Sequence, residues 1–345
     1  MTTAVVICPG RGTYNKTELG YLHRHFPDAG MFGSFDAERQ RQGQETLTAL
    51  DGAERFSLAK HTRGDNASGL IYAATLGDFL SIDRSAIDVV AVTGNSMGWY
   101  SALACAGALS PQDGFAVANT MGTLMQDALI GGQLVYPFLG DDWAANAARR
   151  ASLLGTVADI DAREGHILRL SINLGGMLVL AGNDAGLAAF EAEAEPLDGR
   201  FPKRLGNHAA FHTAMQEPVS LEGRSRLSPD LFKQPEVPMV DGRGSIWWPY
   251  AADLHSLWDY TLGAQVTQTY DFTRAIEVAA REFAPDLFII TGPGTTLGGA
   301  VAQSLILGNW RGMASKDDFR KVQDQTGLLA SMGMADQRGK VTAQG

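Results

Sequence analysis

The sequence has only two cysteines among its 345 residues, Cys8 and Cys105, and both lie in apolar stretches. Two cysteines in apolar stretches do not make a framework of disulfide bonds, so a reducing compartment is predicted. No basic segment followed by an apolar one opens the chain, and no run of about 18 apolar residues occurs. We therefore expect a cytoplasmic protein without a signal peptide and without membrane contact.

Basic residues are also scarce. Lys and Arg number 28 against 38 Asp and Glu, which gives a net charge of -10, and no tract of five basic residues is present. This balance argues against nucleic-acid binding as the main function. Hydrophobic residues make up 45% and charged residues 19%, which is typical of a globular chain long enough to bury a sizeable core.

Short apolar runs alternate with segments of helical spacing near both ends of the chain. The runs AVVIC, IDVVAV and DLFII predict buried strands of a parallel sheet, covered by helices on both faces. Between them, residues 128–206 predict the order strand, helix, strand, strand, helix, strand, which is typical of a ferredoxin-like unit. We therefore predict an α/β fold. Its large subdomain comprises 1–127 and 207–315, with 128–206 inserted, and a polar tail at 316–345 wraps the surface or frays.

The segment GNSMG, with Ser96 at its centre, matches the G-x-S-x-G nucleophile elbow. It follows an apolar strand and precedes an apolar helix, as that turn requires. The serine then sits at a helix N-terminus, where the amide of Met97 is placed to stabilise an oxyanion. The alternative is a glycine-bounded turn with a capping serine.

A serine nucleophile needs a base, and the residues alone leave several histidines open. His255 lies late in the chain, where an α/β-hydrolase would carry its histidine, but no loop pattern flanks it. His208 and His212 have the i, i+4 spacing of a metal-binding helix. However, they lack the glutamate of H-E-x-x-H and lie in an apolar context, so no metal site is predicted.

Five motifs in order resemble the malonyl-CoA:acyl carrier protein transacylases and the acyltransferase domains of polyketide synthases. They are CPGRGTY, GNSMGWYSALACAGALS, SINLGGMLVLAG, AFHTAMQEP and TGPGTTLGG, and they span about residues 4 to 310. The resemblance implies an α/β-hydrolase-like domain with an inserted ferredoxin-like subdomain, the same arrangement that the pattern of runs predicts.

The resemblance also assigns roles to individual residues. Ser96 falls on the nucleophile and His212 on the general base, with His208 as a structural neighbour. Gln265 falls where a backbone carbonyl orients the histidine. Arg11 falls on the loop residue whose amide completes the oxyanion hole with that of Met97. Asn173, in SINLGG, falls on a polar residue of the small subdomain that faces the cleft.

The activity implied is transfer of an acyl group from acyl-CoA, or from an acyl carrier, through acyl-Ser96 to the phosphopantetheine thiol of an acyl carrier protein. The setting implied is fatty acid or polyketide biosynthesis. No cofactor is expected on the enzyme, since acyl-CoA is a substrate and phosphopantetheine belongs to the carrier protein.

Three positions of the acyl pocket depart from the family pattern. Met121 stands where malonyl-selective members have an arginine that pairs with the malonyl carboxylate. Asn95 replaces the usual histidine and Trp99 the usual glutamate beside the elbow. We therefore predict an uncharged acyl group. As an alternative, Arg11, which replaces a glutamine, supplies the missing cation to a malonyl transacylase.

Two further readings stay open. In an acyl hydrolase of the proofreading type, water instead of a thiol attacks the acyl-serine. In a non-catalytic module, the chain only binds an acidic carrier protein, and a local basic patch is required. Candidate patches are Lys203 with Arg204, and the region of Arg311, Lys316, Arg320 and Lys321.

Overall fold

The computed structural model describes residues 1–343. Two sheets organise the chain. The strands are β1 Thr2–Cys8, β2 Ile87–Gly94, β3 Gly132–Pro137, β4 Leu168–Leu174, β5 Met177–Gly182, β6 Lys203–Arg204, β7 Met239–Val240, β8 Ile246–Trp247, β9 Tyr270–Asp271, β10 Leu287–Ile290 and β11 Leu329–Ser331.

Helices lie between the strands. They are α1 Tyr21–His25, α2 Gly33–Arg41, α3 Leu47–Asp51, α4 Leu58–His61, α5 Gly64–Ser81, α6 Gly98–Cys105, α7 Pro111–Ala128, α8 Ala147–Asp161, α9 Asp184–Glu193, α10 Glu217–Arg226, α11 Leu254–Leu262, α12 Ala264–Thr267, α13 Phe272–Phe283, α14 Leu297–Leu307, α15 Lys316–Thr326 and α16 Ala335–Arg338. No helix among the described residues combines the length and the hydropathy needed to cross a membrane.

The larger sheet has the strand order β11-β10-β1-β2-β7-β8. All its neighbouring strands are parallel except β7 and β8, which form an antiparallel pair at one edge. The central strand β1 is a continuous apolar run whose last five residues, 4–8, are fully buried. This is the pattern of a parallel strand covered on both faces, so the predicted α/β class is confirmed.

The smaller sheet has the order β6-β3-β5-β4-β9 and its own hydrophobic cluster, which includes Leu134, Leu180 and Phe190. Strands β3 to β6, with α8 and α9, follow the predicted order of the inserted unit. The fifth strand, β9, comes from outside the predicted range 128–206. It pairs with β4 through Ile172–Tyr270 and Asn173–Asp271 and thereby joins the two parts of the chain.

The C-terminal segment differs from the surface tail expected at 316–345. Strand β11 pairs in parallel with β10 and forms an edge of the larger sheet. Its few apolar side chains are well placed, since Leu328, Met332 and Val341 are buried. Arg338 also pairs with the buried carboxylate of Asp78 on α5. The segment up to residue 343 is therefore part of the fold.

Candidate active site

Ser96 lies in the turn between β2 and α6, at the carboxyl end of the parallel strands. Its φ is +56°, a left-handed conformation that is unfavourable for a side-chain-bearing residue. A Cβ at Gly98 would overlap the backbone carbonyl of Cys8, so only glycine allows this close approach of α6 to β1. The Tyr270 hydroxyl donates to the Gly94 carbonyl at 2.5 Å and closes the turn from the other side.

His212 faces the serine from the segment that follows the smaller sheet. Its Nε2 lies 2.7 Å from Ser96 Oγ, within hydrogen-bond reach of a proton transfer. His212 also has a positive φ, +57°. The backbone just before it is held by side chains, since Ser171 donates to the Phe211 carbonyl and Thr213 to the Ala210 carbonyl, each at 2.7 Å.

Gln265 on α12 orients the histidine. Its backbone carbonyl lies 2.6 Å from His212 Nδ1, and a carbonyl can only accept. Nδ1 therefore carries the proton, and Nε2 is left as the acceptor that faces Ser96. The Gln265 side chain donates to the Ser96 carbonyl at 3.0 Å and accepts from the Tyr100 hydroxyl at 3.1 Å, which ties α12 to the elbow.

Burial keeps this histidine neutral. The pKa of His212 is lowered from 6.5 to about 4, chiefly because burial penalises the charged imidazolium, and the Gln265 carbonyl offsets only part of that effect. A neutral imidazole is the form that can take the serine proton. The dyad is therefore in its reactive protonation state at neutral pH.

The backbone amides of Met97 and Arg11, near Ser96, are among those without a hydrogen-bond partner within residues 1–343. The loop that carries Arg11 packs against the elbow so closely that a Cβ at Gly10 would overlap the Asn95 carbonyl. Free amides on two chain segments next to a nucleophile are the arrangement of an oxyanion hole.

The side chain of Arg11 turns inward. Its Nη2 donates to the carbonyls of Thr62 at 3.0 Å and Asn207 at 2.7 Å, and its Cζ lies 5.2 Å from the ring centre of Phe211. Burial lowers the pKa of Arg11 to about 10, against the opposing effect of Asp65. The guanidinium is thus a buried cation at neutral pH.

Two cavities meet at this arginine. The inner cavity is lined by Arg11, Ser68, Ser96, Met97, Tyr100, Gly122, Met125, Phe211, His212 and Gln265. The outer cavity, open to solvent, is lined by Arg11 with Leu58, Thr62, Lys203, Asn207 and His208, among others. Because Arg11 lines both, the outer cavity is adjacent to the one that contains the nucleophile.

The predicted pocket residues other than Arg11 lie away from the inner cavity. Met121 is buried, and its sulfur faces α10 at Gly223. Trp99 is fully buried and donates its indole N–H to Thr261 Oγ1 at 3.0 Å. Asn173 donates to Asp271 Oδ1 at 2.9 Å.

Asn95 is buried and packs against Gly10, in the loop that carries Arg11. Like the others, it is absent from the residues that line the inner cavity. Nearby, α7 contributes Gly122 and Met125 to that cavity in place of Met121. Although residue 121 aligns with the arginine of the malonyl-selective family members, its side chain is therefore not next to Ser96.

His208 has a different role from His212. It lies in a non-helical segment, and its Nδ1 contacts Gln133 Oε1 at 2.8 Å. Gln133 in turn donates to Ser171, which holds the Phe211 carbonyl. No group of three or more histidine, cysteine or acidic side chains within residues 1–343 is placed to hold a metal ion.

Ion pairs at the surface neutralise part of each predicted basic patch. Lys203 is exposed at the outer cavity, whereas Arg204 beside it is paired with Glu191 at 2.9 Å. Arg320 and Lys321 pair with acidic residues of their own helix, α15.

Sequence reasoning missed Ser68, Tyr100 and Phe211 as residues of the site. Tyr100 and Phe211 stand in the motifs GNSMGWY and AFHTAMQ. Their closeness in sequence to Ser96 and His212 could have identified them as site residues. Ser68 lies near the start of α5, in a segment without any motif. Only the packing of α5 against α7 brings it to the cavity.

Comparisons with known proteins agree with the resemblance that the motifs indicate. The chain is 25% identical over 305 residues to a malonyl CoA-acyl carrier protein transacylase of Bacillus subtilis, which covers 87% of this chain and 90% of that protein. It is 29% identical over 208 residues to the polyketide synthase GfsB of Streptomyces halstedii, a match to 60% of this chain and 3% of that protein. No family model matches the chain.

Solved structures agree on the fold. The malonyl-CoA:ACP transacylase of Synechocystis sp. PCC 6803 superposes with a TM-score of 0.74 at 18% identity, over 99% of this chain and 100% of that one. A malonyl-transacylase solved with a type II polyketide synthase acyl-carrier protein gives 0.70 at 20% identity, over 94% and 100%. The predicted resemblance is thereby confirmed.

Proposed function

From the resemblance of this chain to the malonyl-CoA:acyl carrier protein transacylases in sequence and fold, we propose that it is a serine acyltransferase. It moves an acyl group from acyl-CoA to the phosphopantetheine thiol of an acyl carrier protein. The observation that carries this proposal is the continuous chain from Ser96 Oγ through His212 to the Gln265 carbonyl, with links of 2.7 and 2.6 Å.

The first half-reaction loads the enzyme. His212 Nε2 takes the proton of Ser96 as Oγ attacks the thioester carbonyl carbon. The amides of Met97 and Arg11 hold the negative oxygen of the tetrahedral intermediate. The C–S bond breaks, the proton on His212 passes to the leaving sulfur, and CoA departs as a thiol from acyl-Ser96.

The second half-reaction reverses these steps with a different thiol. His212 takes the proton of the carrier's phosphopantetheine, the thiolate attacks acyl-Ser96, and the serine recovers its proton. We expect the long thioester arm to approach Ser96 from the outer cavity, which shares Arg11 with the inner one. No cofactor is needed on the enzyme for either step.

Intact mass measurement tests the proposal. Mixed with a panel of acyl-CoAs, the protein gains the mass of the acyl group, and Ser96→Ala gains none, because no other hydroxyl is paired with a base in this cavity. The label then leaves when a carrier protein with its phosphopantetheine thiol is added. Absence of a Ser96-dependent adduct with every acyl-CoA, alongside carrier binding that Ser96→Ala retains, would instead support a non-catalytic module.

The same experiment distinguishes a hydrolase. If acyl-Ser96 decays to free acid in water faster than it transfers to the carrier thiol, the chain is an acyl hydrolase with the same dyad. Transfer that outpaces release of free acid supports the transferase.

The acyl group depends on which residue governs the inner cavity. The replacement of an arginine by Met121 predicts an uncharged acyl group, but the Met121 side chain faces α10 rather than the space beside Ser96. Arg11 places a cation in that space. The identity of the acyl group is therefore better argued from Arg11 than from Met121.

A further inference from the structure

Two side chains of the inner cavity have buried polar atoms without a hydrogen-bond partner. These atoms are the Nε of Arg11 and the Oγ of Ser68. Buried polar atoms in folded proteins are nearly always paired, so each exception requires an explanation. Both residues line the cavity that contains the nucleophile, and a bound substrate is a group that can satisfy these atoms.

Arg11 is a cation without an anion. Its recorded partners are two backbone carbonyls and the face of Phe211, and it forms no ion pair with any carboxylate of the described residues. Asp65 acts on Arg11 only through its charge, and its carboxylate is already bound by Arg63 at 3.1 Å. An isolated buried charge is costly unless a partner is brought to it.

The anchoring of Arg11 leaves part of its guanidinium without a partner. Both carbonyl bonds use Nη2, so Nε and Nη1 remain available to a ligand. Ser68 on α5 has its hydroxyl near Gly122, and a Cβ at position 122 would lie 2.5 Å from that oxygen. Helices α5 and α7 therefore pack so closely that only glycine fits at position 122, directly beside the Ser68 hydroxyl.

The side of the cavity formed by α7 has no comparable charged or hydroxyl group. Helix α7 contributes Gly122 and the apolar Met125, and Met121 is turned towards α10. We infer that Arg11, assisted by the Ser68 hydroxyl, binds the free carboxylate of a carboxylated acyl group on acyl-Ser96. The carboxylate is thus held by the loop after β1 and by α5, and not by α7. This inference rests on the proposed acyl transfer.

A carboxylate satisfies both orphaned groups together. It accepts from the guanidinium edge of Arg11 as a charge-assisted hydrogen bond and from the Ser68 hydroxyl as a second one. It also supplies the missing counter-charge in a site from which water is largely excluded. An acetyl or butyryl group has no atom that can do either.

The test is a comparison of loading rates. The rates of acyl-Ser96 formation from malonyl-CoA and succinyl-CoA are measured against those from acetyl-CoA and butyryl-CoA by rapid-quench intact mass measurement. We expect the wild-type protein to load at least one carboxylated acyl group faster than both uncharged ones. Arg11→Gln should lower the ratio of carboxylated to uncharged loading about 10- to 100-fold, the range for loss of a charged hydrogen bond.

Two more variants sharpen the test. Arg11→Lys keeps the charge but not the planar edge, so it should recover part of the ratio. Ser68→Ala should lower the ratio about 3- to 10-fold, in keeping with one neutral hydrogen bond. Ser101→Ala is the matched control, because Ser101 Oγ is also buried and unpaired but does not line the cavity. It should leave the ratio as in the wild type.

The outcomes separate the two proposals. Because Arg11 also anchors two loops, labelling of Ser96 by a small fluorophosphonate checks that each variant still has a folded elbow. Loading that prefers acetyl or butyryl groups, or a ratio that Arg11→Gln and Arg11→Lys leave unchanged, overturns the carboxylate site while acyl transfer stands. Failure of the wild-type protein to load any acyl-CoA overturns the acyl transfer and this inference with it.

Discussion

The two sides of the inner cavity differ in how their polar groups are satisfied. On the nucleophile side, Ser96, His212, Gln265 and Tyr100 form an unbroken series of hydrogen bonds between 2.6 and 3.1 Å. On the loop side, Arg11 and Ser68 each keep a buried polar atom without a partner. A satisfied network holds one geometry, whereas unsatisfied groups gain most from a ligand.

The two sides of the cavity should therefore control different properties: the nucleophile side the rate of acylation, and the loop side the selectivity among acyl groups. Changes on the nucleophile side should slow the reaction of every acyl group alike, because they affect the atoms common to all thioesters. Changes on the loop side should alter the preference among acyl groups. Variants of His212 and Tyr100 test whether changes on the nucleophile side slow the reaction of all acyl groups equally.

The largest effect is expected when His212→Gln is compared with His208→Gln. His212→Gln removes the base and should slow acyl-Ser96 formation about 10²- to 10⁴-fold, equally for carboxylated and uncharged acyl-CoAs. His208→Gln should slow it less than about tenfold, since His208 contacts Gln133 and the Phe211 ring and not Ser96. Single-turnover mass measurement gives both rates. Equal losses in the two variants would contradict the assignment of the base.

The next effect concerns pH. The neutral imidazole of His212 is the active form, and burial lowers its pKa to about 4. Acylation should therefore fall less than about twofold between pH 7 and pH 5, where a histidine of ordinary pKa would lose about 30-fold. The pH profile of acyl-Ser96 formation measures this, and an acidic limb near pH 6.5 would contradict it.

The lowered pKa of His212 also makes the stability of the fold depend on pH. Because the folded protein holds His212 neutral below the ordinary pKa of 6.5, the unfolded chain binds more protons between pH 6.5 and about 4. The free energy of unfolding should thus decrease as the pH falls through this window. Circular dichroism at each pH separates this loss of fold from loss of the base.

Much of this arrangement could be predicted from the sequence, because it depends on local patterns. The apolar runs indicated the α/β fold, and the motifs around Ser96 and His212 led to both residues. Strand β11 was missed because three residues in a polar segment have no periodicity. The buried state of Arg11 and the orientation of Met121 were beyond reach, since both depend on packing between segments far apart in the chain.

The smallest effect tests how the nucleophile side is held together. Tyr100 donates to the side-chain oxygen of Gln265 at 3.1 Å, and the Gln265 amide group donates to the Ser96 carbonyl. Tyr100→Phe leaves that buried oxygen without its donor, so the free energy of unfolding should fall by about 1–2 kcal/mol. Acylation should slow a few-fold, because the elbow and the orienting carbonyl are less firmly connected.

A second buried tyrosine supplies the control for this change. Tyr72 donates to the Pro111 carbonyl at 2.7 Å and does not line the inner cavity. Tyr72→Phe should lower stability by a similar amount in chemical denaturation while acylation keeps its wild-type rate. If Tyr100→Phe slows malonyl and acetyl loading by the same factor and Tyr72→Phe slows neither, the Tyr100 hydroxyl positions the nucleophile side. A change in the ratio of the two would instead place Tyr100 with Arg11 among the residues that choose the acyl group.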